Sequence, residues 1–211
     1  MRFLTINFSL STIEFFVTLR VDLKLVKMAN TPSNMLPLGT KAPDFFLKDT
    51  NSNYSYSYKD LKGSKGTLII FMCNHCPFVL HVLEEIIMIN NDYRVQGISV
   101  IGICSNDAAQ YPEDAPDKMT EFAFEKGITF PYLYDETQEV AKAYDAACTP
   151  DFYLFDTRDR LVYRGQLDDS RPGNGISVSG SDLRSAIDGL LYNRKINPIQ
   201  KPSIGCNIKW K

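Results

Sequence analysis

The sequence predicts an α/β fold: a central mixed β-sheet flanked by helices, with an N-terminal β-hairpin. Three observations carry this. Residues 67–72 and 98–104 are apolar almost without alternation, as strands buried on both faces are. Between them Phe78, Val79, Val82, Leu83, Ile86 and Ile87 recur at three- and four-residue spacings, one stripe of a helix. Short strand-like and helical segments follow in alternation, and buried strands joined by helices make a sheet covered on both faces.

Taken in order, residues 44–47 and 54–58 read as the arms of a hairpin around the turn at 51–53, and 58–61 as one helical turn. The helix after residue 77 carries Glu84 and Glu85 on its outer side, with Asn90 and Asn91 as its stop. Residues 105–116 are polar, with Pro112 and Pro116. A helix is predicted over 117–126, with Met119, Phe122 and Ala123 inside and Gly127 capping its end. Residues 131–134 form a short strand. Asp135 and Gln138 resemble a capping box for a helix holding Val140, Ala141 and Tyr144. Residues 151–155 and 161–164 form a second hairpin. The loop at 169–180 is rich in Gly, Ser and Pro, and a last helix spans 181–192. Asp168 and Asp169, at the start of that loop, read as turn chemistry. The tail from 198 carries two prolines and Cys206.

A chain of 211 residues with 44% hydrophobic content can bury a core without staples. Residues 35–211 are expected to form one domain. Residues 1–34 are expected to be a disordered extension: Arg2, Phe3, Leu4 and Ile6 open like a signal peptide, but Glu14 and then Arg20, Asp22 and Lys24 interrupt it. No apolar run approaches the ~20 residues of a membrane span. A net charge of −2 without a Lys/Arg block excludes an electrostatic case for nucleic acid. Five cysteines in a chain of this size suit a reducing, cytoplasmic setting with one functional pair, not a secreted disulfide framework. Gly173-Asn174-Gly175 has no phosphate-loop pattern, and no cofactor is implied.

The chemistry concentrates in Cys73-Asn74-His75-Cys76-Pro77. A strand ends there and a helix begins, so unpaired N–H groups and the helix dipole favour a thiolate. Pro77 suits the first helical turn. The spacing lets Cys73 attack a disulfide and Cys76 resolve the mixed disulfide. His75, if protonated, would stabilise the Cys73 thiolate. Two cysteines at this spacing are also half of a zinc or copper site, but His81, Cys104, Cys148 and Cys206 are scattered singles rather than a second pair. Cys104, within an apolar strand, reads as a buried thiol.

With residues 132–138 (Tyr-Leu-Tyr-Asp-Glu-Thr-Gln), Cys148-Thr149-Pro150-Asp151-Phe152, Tyr163-Arg164-Gly165 and the ending from Gly205 to Lys211, the CNHCP stretch resembles thioredoxin-like proteins of the AhpC/TSA (redoxin) superfamily. The resemblance runs from about residue 36 to the end. It implies a thioredoxin-like fold and a cis Thr149–Pro150 peptide against the cysteine pair, which brings Cys148 near the site. The expected partners are protein or small-molecule disulfides and a thiol reductant, with no membrane or nucleic-acid partner, and the expected state is a monomer or weak dimer. Where thioredoxins carry a tryptophan before the pair, Met72 stands here. Residues 67–72 hold no acid, so proton transfer falls to another group or to water. Two further readings follow. One is a peroxidase of the peroxiredoxin type, with Cys76 peroxidatic, Cys73 where a threonine or serine usually stands, and Arg164 as an activating charge. The other is a metal-binding thioredoxin-like carrier. Cys148 and Cys206 are candidates for a third redox thiol.

Overall fold

The computed structural model describes residues 30–211, so the expectation for most of the N-terminal extension lies outside the described residues. The chain builds β1 (Thr31–Pro32), β2 (Phe46–Asp49), β3 (Ser55–Ser57), α1 (Tyr58–Leu61), β4 (Gly66–Phe71), α2 (Pro77–Arg94), β5 (Ile98–Cys104), α3 (Pro116–Lys126), β6 (Tyr132–Tyr134), α4 (Glu139–Ala143), β7 (Cys148–Thr149), β8 (Asp151–Phe155), β9 (Leu161–Gly165), α5 (Ser181–Leu191) and β10 (Ile204–Asn207).

Seven strands form one mixed sheet in the order β3-β2-β6-β5-β4-β8-β9. The central strand β4 runs parallel to β5 and antiparallel to β8. Every residue of β4 is buried. Its side chains divide by alternation: Leu68 and Ile70 join Val79, Val82 and Ile86 of α2 and Leu183 and Ile187 of α5, while Ile69 and Phe71 join Phe45, Tyr58 and Tyr144 on the other face. The near-continuous apolar run is thus the signature of a strand covered on both sides. No helix of the described residues is long and apolar enough to cross a membrane.

Several details differ from expectation. The helix α2 continues through Asn90 and Asn91 to Arg94, because Asn90 is buried and its amide donates to Thr129 Oγ1 at 3.1 Å. Glu85 is not on an outer face: it is buried and paired with Arg184 of α5. The capping box before α4 does not form. Asp135 instead accepts from Ala141 N at 2.9 Å, and the Gln138 amide donates to the carbonyls of Ser105 and Lys209. Asp168 does organise its loop, accepting from Ser170 N at 2.8 Å and Gly180 N at 2.7 Å.

The second, three-stranded sheet has the order β1-β10-β7. Thr31–Pro32, within the segment expected as an extension, pairs with β10, and the tail pairs with Cys148–Thr149. This small sheet carries the C-terminal residues to the end of α2 where the cysteines lie.

Candidate active site

Cys73 follows the buried strand β4 by two residues, and Cys76 is the N-cap of α2, with Pro77 opening the helix. Proline there lacks only an N–H that the first turn would leave unpaired anyway. Both sulfurs are free thiols and both are buried. Opposite them the Thr149–Pro150 peptide is cis. Thr149 meets both cysteines: its Oγ1 lies 3.6 Å from Cys73 Sγ, and its carbonyl accepts from the Cys76 thiol at 3.1 Å. Cysteine pair, Pro77, Thr149 and Pro150 therefore converge.

The negative charge is best held on Cys76. The neighbouring Cys206 and Cys73 thiols, the Thr149 side chain and the Val79 N–H favour its charged form and, against the opposing effect of burial, hold it well below the ordinary thiol value. Cys73 is pushed up in turn: it gives its hydrogen to Cys76, it is buried, and the Asp114 carboxylate stands beside it. Cys206 is likewise raised, chiefly because it donates to Cys76.

The acid that β4 lacks comes from the turn before α3. Asp114 is fully buried. It accepts from Asn74 N at 2.8 Å and from Asn106 Nδ2 at 2.7 Å. Its Oδ2 lies 2.7 Å from His75 Nδ1, a charge contact that lies off the N–H axis. That carboxylate raises the His75 pKa above its usual value, against the opposing effect of partial burial. The imidazole stacks on Tyr111 with ring centroids 5.8 Å apart and planes 6° from parallel. Asn74 completes the frame, accepting from Tyr132 OH at 3.0 Å and donating to the Glu113 carbonyl at 2.8 Å. Nothing in the sequence marked Asp114 or Tyr111 beyond a polar segment after a buried strand, and Asn74 was marked only as part of the CNHCP stretch.

Cys73, His75 and Asp114 place three metal-ligating atoms within 4.8 Å of one another. His75 and Asp114 are closer to each other than ligands of one tetrahedral ion, which sit ~3.4 Å apart for bonds near 2.1 Å. Holding a metal there requires opening that pair.

Cys148 lies beside the site rather than in it. Successive strand residues face opposite sides, and its sulfur, buried and raised by burial, lies 3.9 Å from the Pro150 carbonyl. Cys104 is fully buried and raised for the same reason. His81 accepts or donates a hydrogen bond with Ser170 Oγ at 2.7 Å, and Arg164 donates to Gln200 Oε1 at 2.8 Å; neither is tied to the sulfurs.

A dithiol between a buried strand and a helix N-terminus, facing a cis-proline, defines a thioredoxin-like protein, and the sheet has that fold. The Redoxin family model matches residues 37–182, and the chain belongs to that family. A crystal structure of an uncharacterized conserved protein from Geobacillus kaustophilus is 56% identical, with a TM-score of 0.86 over 88% of this chain and 98% of that one. Among curated proteins, the thiol-disulfide oxidoreductase ResA of Geobacillus kaustophilus is 27% identical over 129 residues, 60% of this chain and 67% of its own length. A Mycobacterium tuberculosis protein named "Putative peroxiredoxin Rv2521" is 28% identical over 116 residues, 55% of this chain and 68% of its own.

Proposed function

We propose that the chain is a thiol–disulfide oxidoreductase in which Cys73 and Cys76 cycle between dithiol and disulfide. The observation that carries this reading is two free thiols at the N-terminus of α2 that both meet one residue, Thr149. The similarity to ResA points the same way.

In this cycle Cys73 attacks a substrate disulfide, and one substrate thiolate leaves. The Cys76 thiolate then attacks the Cys73 sulfur, forming the Cys73–Cys76 bond and releasing the second substrate thiol. A thiolate stabilised inside the site suits that second step. The His75–Asp114 pair, next to Cys73, handles its proton. A thiol reductant restores the dithiol.

One observation favours a second reading. Cys76, not Cys73, holds the stabilised charge, and a relative carries a peroxiredoxin name, so Cys76 is the candidate for a peroxidatic sulfur. Insulin reduction and hydrogen peroxide consumption, measured with wild type, Cys73→Ser and Cys76→Ser, separate the two. The oxidoreductase reading expects insulin reduction lost in both variants. If Cys73→Ser still consumes peroxide and Cys76 alone is found as sulfenate, the peroxidase reading replaces it.

A further inference from the structure

We infer that Cys206 is a third redox thiol of this site, exchanging with the Cys73–Cys76 disulfide to form a Cys76–Cys206 disulfide. This deepens the dithiol reading above and rests on it.

The geometry comes from β10. It lies antiparallel on β7, with Cys206 opposite Thr149 and Asn207 opposite Cys148. Thr149 is the residue both active-site cysteines meet, and its carbonyl is the one Cys76 Sγ reaches at 3.1 Å. The strand that brings Cys206 there is fixed along its whole length. Thr31 pairs with Gly205 on its far side. Gly205 lies so close to the Thr149 carbonyl that a Cβ there would overlap it. Ser203 Oγ donates to the Pro150 carbonyl. Ile208 N donates to Ala147 O at 3.1 Å, Lys209 N to Asn106 Oδ1 at 2.8 Å, and Lys211 N to Gln138 Oε1 at 2.8 Å. Cys206 is thus presented on a held strand rather than on a loose tail. Residues directly opposite in an antiparallel ladder share a face, so Cys206 lies on the face from which Thr149 Oγ1 reaches Cys73, and it packs against the core cluster that holds Cys73 and Cys76.

An unpaired strand edge beside a reactive pair is a template on which an extended segment can add. Here β10 fills that edge of β7 and places a thiol on the Thr149 face that meets the cysteine pair. A buried sulfur meets a group already held beside it far more readily than one arriving from solvent. Once the Cys73–Cys76 disulfide exists, the Cys206 sulfur attacks Cys76. The Cys76–Cys206 bond forms, the Cys73–Cys76 bond breaks, and the proton leaving Cys206 ends on Cys73. No electrons are gained or lost overall. The exchange returns Cys73 as a thiol and moves the disulfide towards the surface, because Cys206 is half-buried whereas Cys73 and Cys76 are buried. A reducing thiol then collects the oxidising equivalent at Cys206, away from the position where Cys73 meets substrate.

The test uses full-length Cys73→Ser, exposed to hydroxyethyl disulfide, with free thiols alkylated and linkages mapped by peptide mass spectrometry. The Cys76 thiolate takes up one half of the reagent, and Cys206 displaces it. The expected result is a Cys76–Cys206-linked peptide, with two of the four remaining thiols lost in each chain. A persistent hydroxyethyl adduct on Cys76 with Cys206 alkylated, or Cys76 joining two chains, would overturn the inference. The wild-type arm does not depend on the variant's folding. Oxidised wild type should give both Cys73–Cys76 and Cys76–Cys206 peptides, and Cys206→Ser only the first. Wild type showing Cys73–Cys76 alone rejects the role of Cys206 and leaves the dithiol reading intact. Oxidised Cys206→Ser without Cys73–Cys76 rejects the dithiol reading itself.

Discussion

Replacing Asp114 by Asn removes one buried charge and little volume, and its effect on Cys73 should change with pH. The carboxylate is fully buried and within 4.8 Å of Cys73 Sγ. At an effective dielectric of about 20, a unit charge at that distance opposes a thiolate by roughly 3 kcal/mol. Part of this is cancelled in the wild type by the His75 imidazolium, which the same carboxylate stabilises. In the variant His75 returns towards its ordinary value near 6.5. At about pH 5.5 it still carries its proton, so Cys73 keeps the positive neighbour and loses the negative one. Thiolate-dependent alkylation of Cys73 should then rise about tenfold or more, the equivalent of about 1.4 kcal/mol. Above about pH 7.5 the imidazole is neutral in the variant, both charges are gone, and the gain should shrink. The assay is iodoacetamide labelling across pH in a Cys76→Ser background, read on the Cys73 peptide, so that hydrogen sharing with Cys76 does not intrude. A variant no faster at low pH, or faster by the same factor at every pH, would refute the reasoning. The amide also loses an acceptor that Asn74 or Asn106 uses, so a cost of about 1–3 kcal/mol in stability accompanies the change.

Three further outcomes follow from other contacts. His75→Gln removes a positive neighbour of the Cys76 thiolate, which destabilises the reduced form and favours the disulfide. Equilibration with glutathione should show a reduction potential lower by about 30 mV, a tenfold shift, and an unchanged or higher value counts against the pairing. Asp151 is fully buried, accepts from Tyr153 OH at 2.8 Å, and is pushed up to about 8 by burial. Between roughly pH 4 and 8 the folded chain keeps a proton that the unfolded chain has released, so this group makes stability fall as pH rises, by up to about 1.4 kcal/mol per pH unit. Asp151→Asn should flatten that slope in urea unfolding at pH 5 and 7.5; an equally steep slope in the variant rejects the assignment. Gly205→Ala places a methyl group against the Thr149 backbone. It should cost about 1–3 kcal/mol by overpacking and make Cys206 easier to alkylate, whereas wild-type values for both would mean that β10 is not pressed on β7.

The central sheet was legible because burial on both faces leaves a mark on composition. The strands β4 and β5 are apolar throughout, and the two faces of β4 feed separate cores. The cysteine pair was legible because its chemistry is local, with a strand behind, a helix ahead and Pro77 at the first turn. What was not legible depends on distant partners. Asn90 looks like a helix stop until Thr129, far along the chain, takes its amide. Asp114 is one acid in a polar loop until folding sets it against His75 and the Asn74 N–H. The strand β10, Ile-Gly-Cys-Asn, shows no alternation of apolar and polar residues and pairs with two-residue strands whose own sequences carry no strand signal. Cys206 could be suspected from its type alone, but its place opposite Thr149 is a matter of register.

The claim that Cys73 and Cys76 form a working dithiol is tested most directly by trapping. Cys76→Ser, offered a disulfide-containing protein such as insulin, should accumulate a mixed disulfide through Cys73, because the thiolate that resolves it is gone. A Cys76→Ser protein that forms no adduct at Cys73, or that turns over substrate at the wild-type rate, would contradict the account.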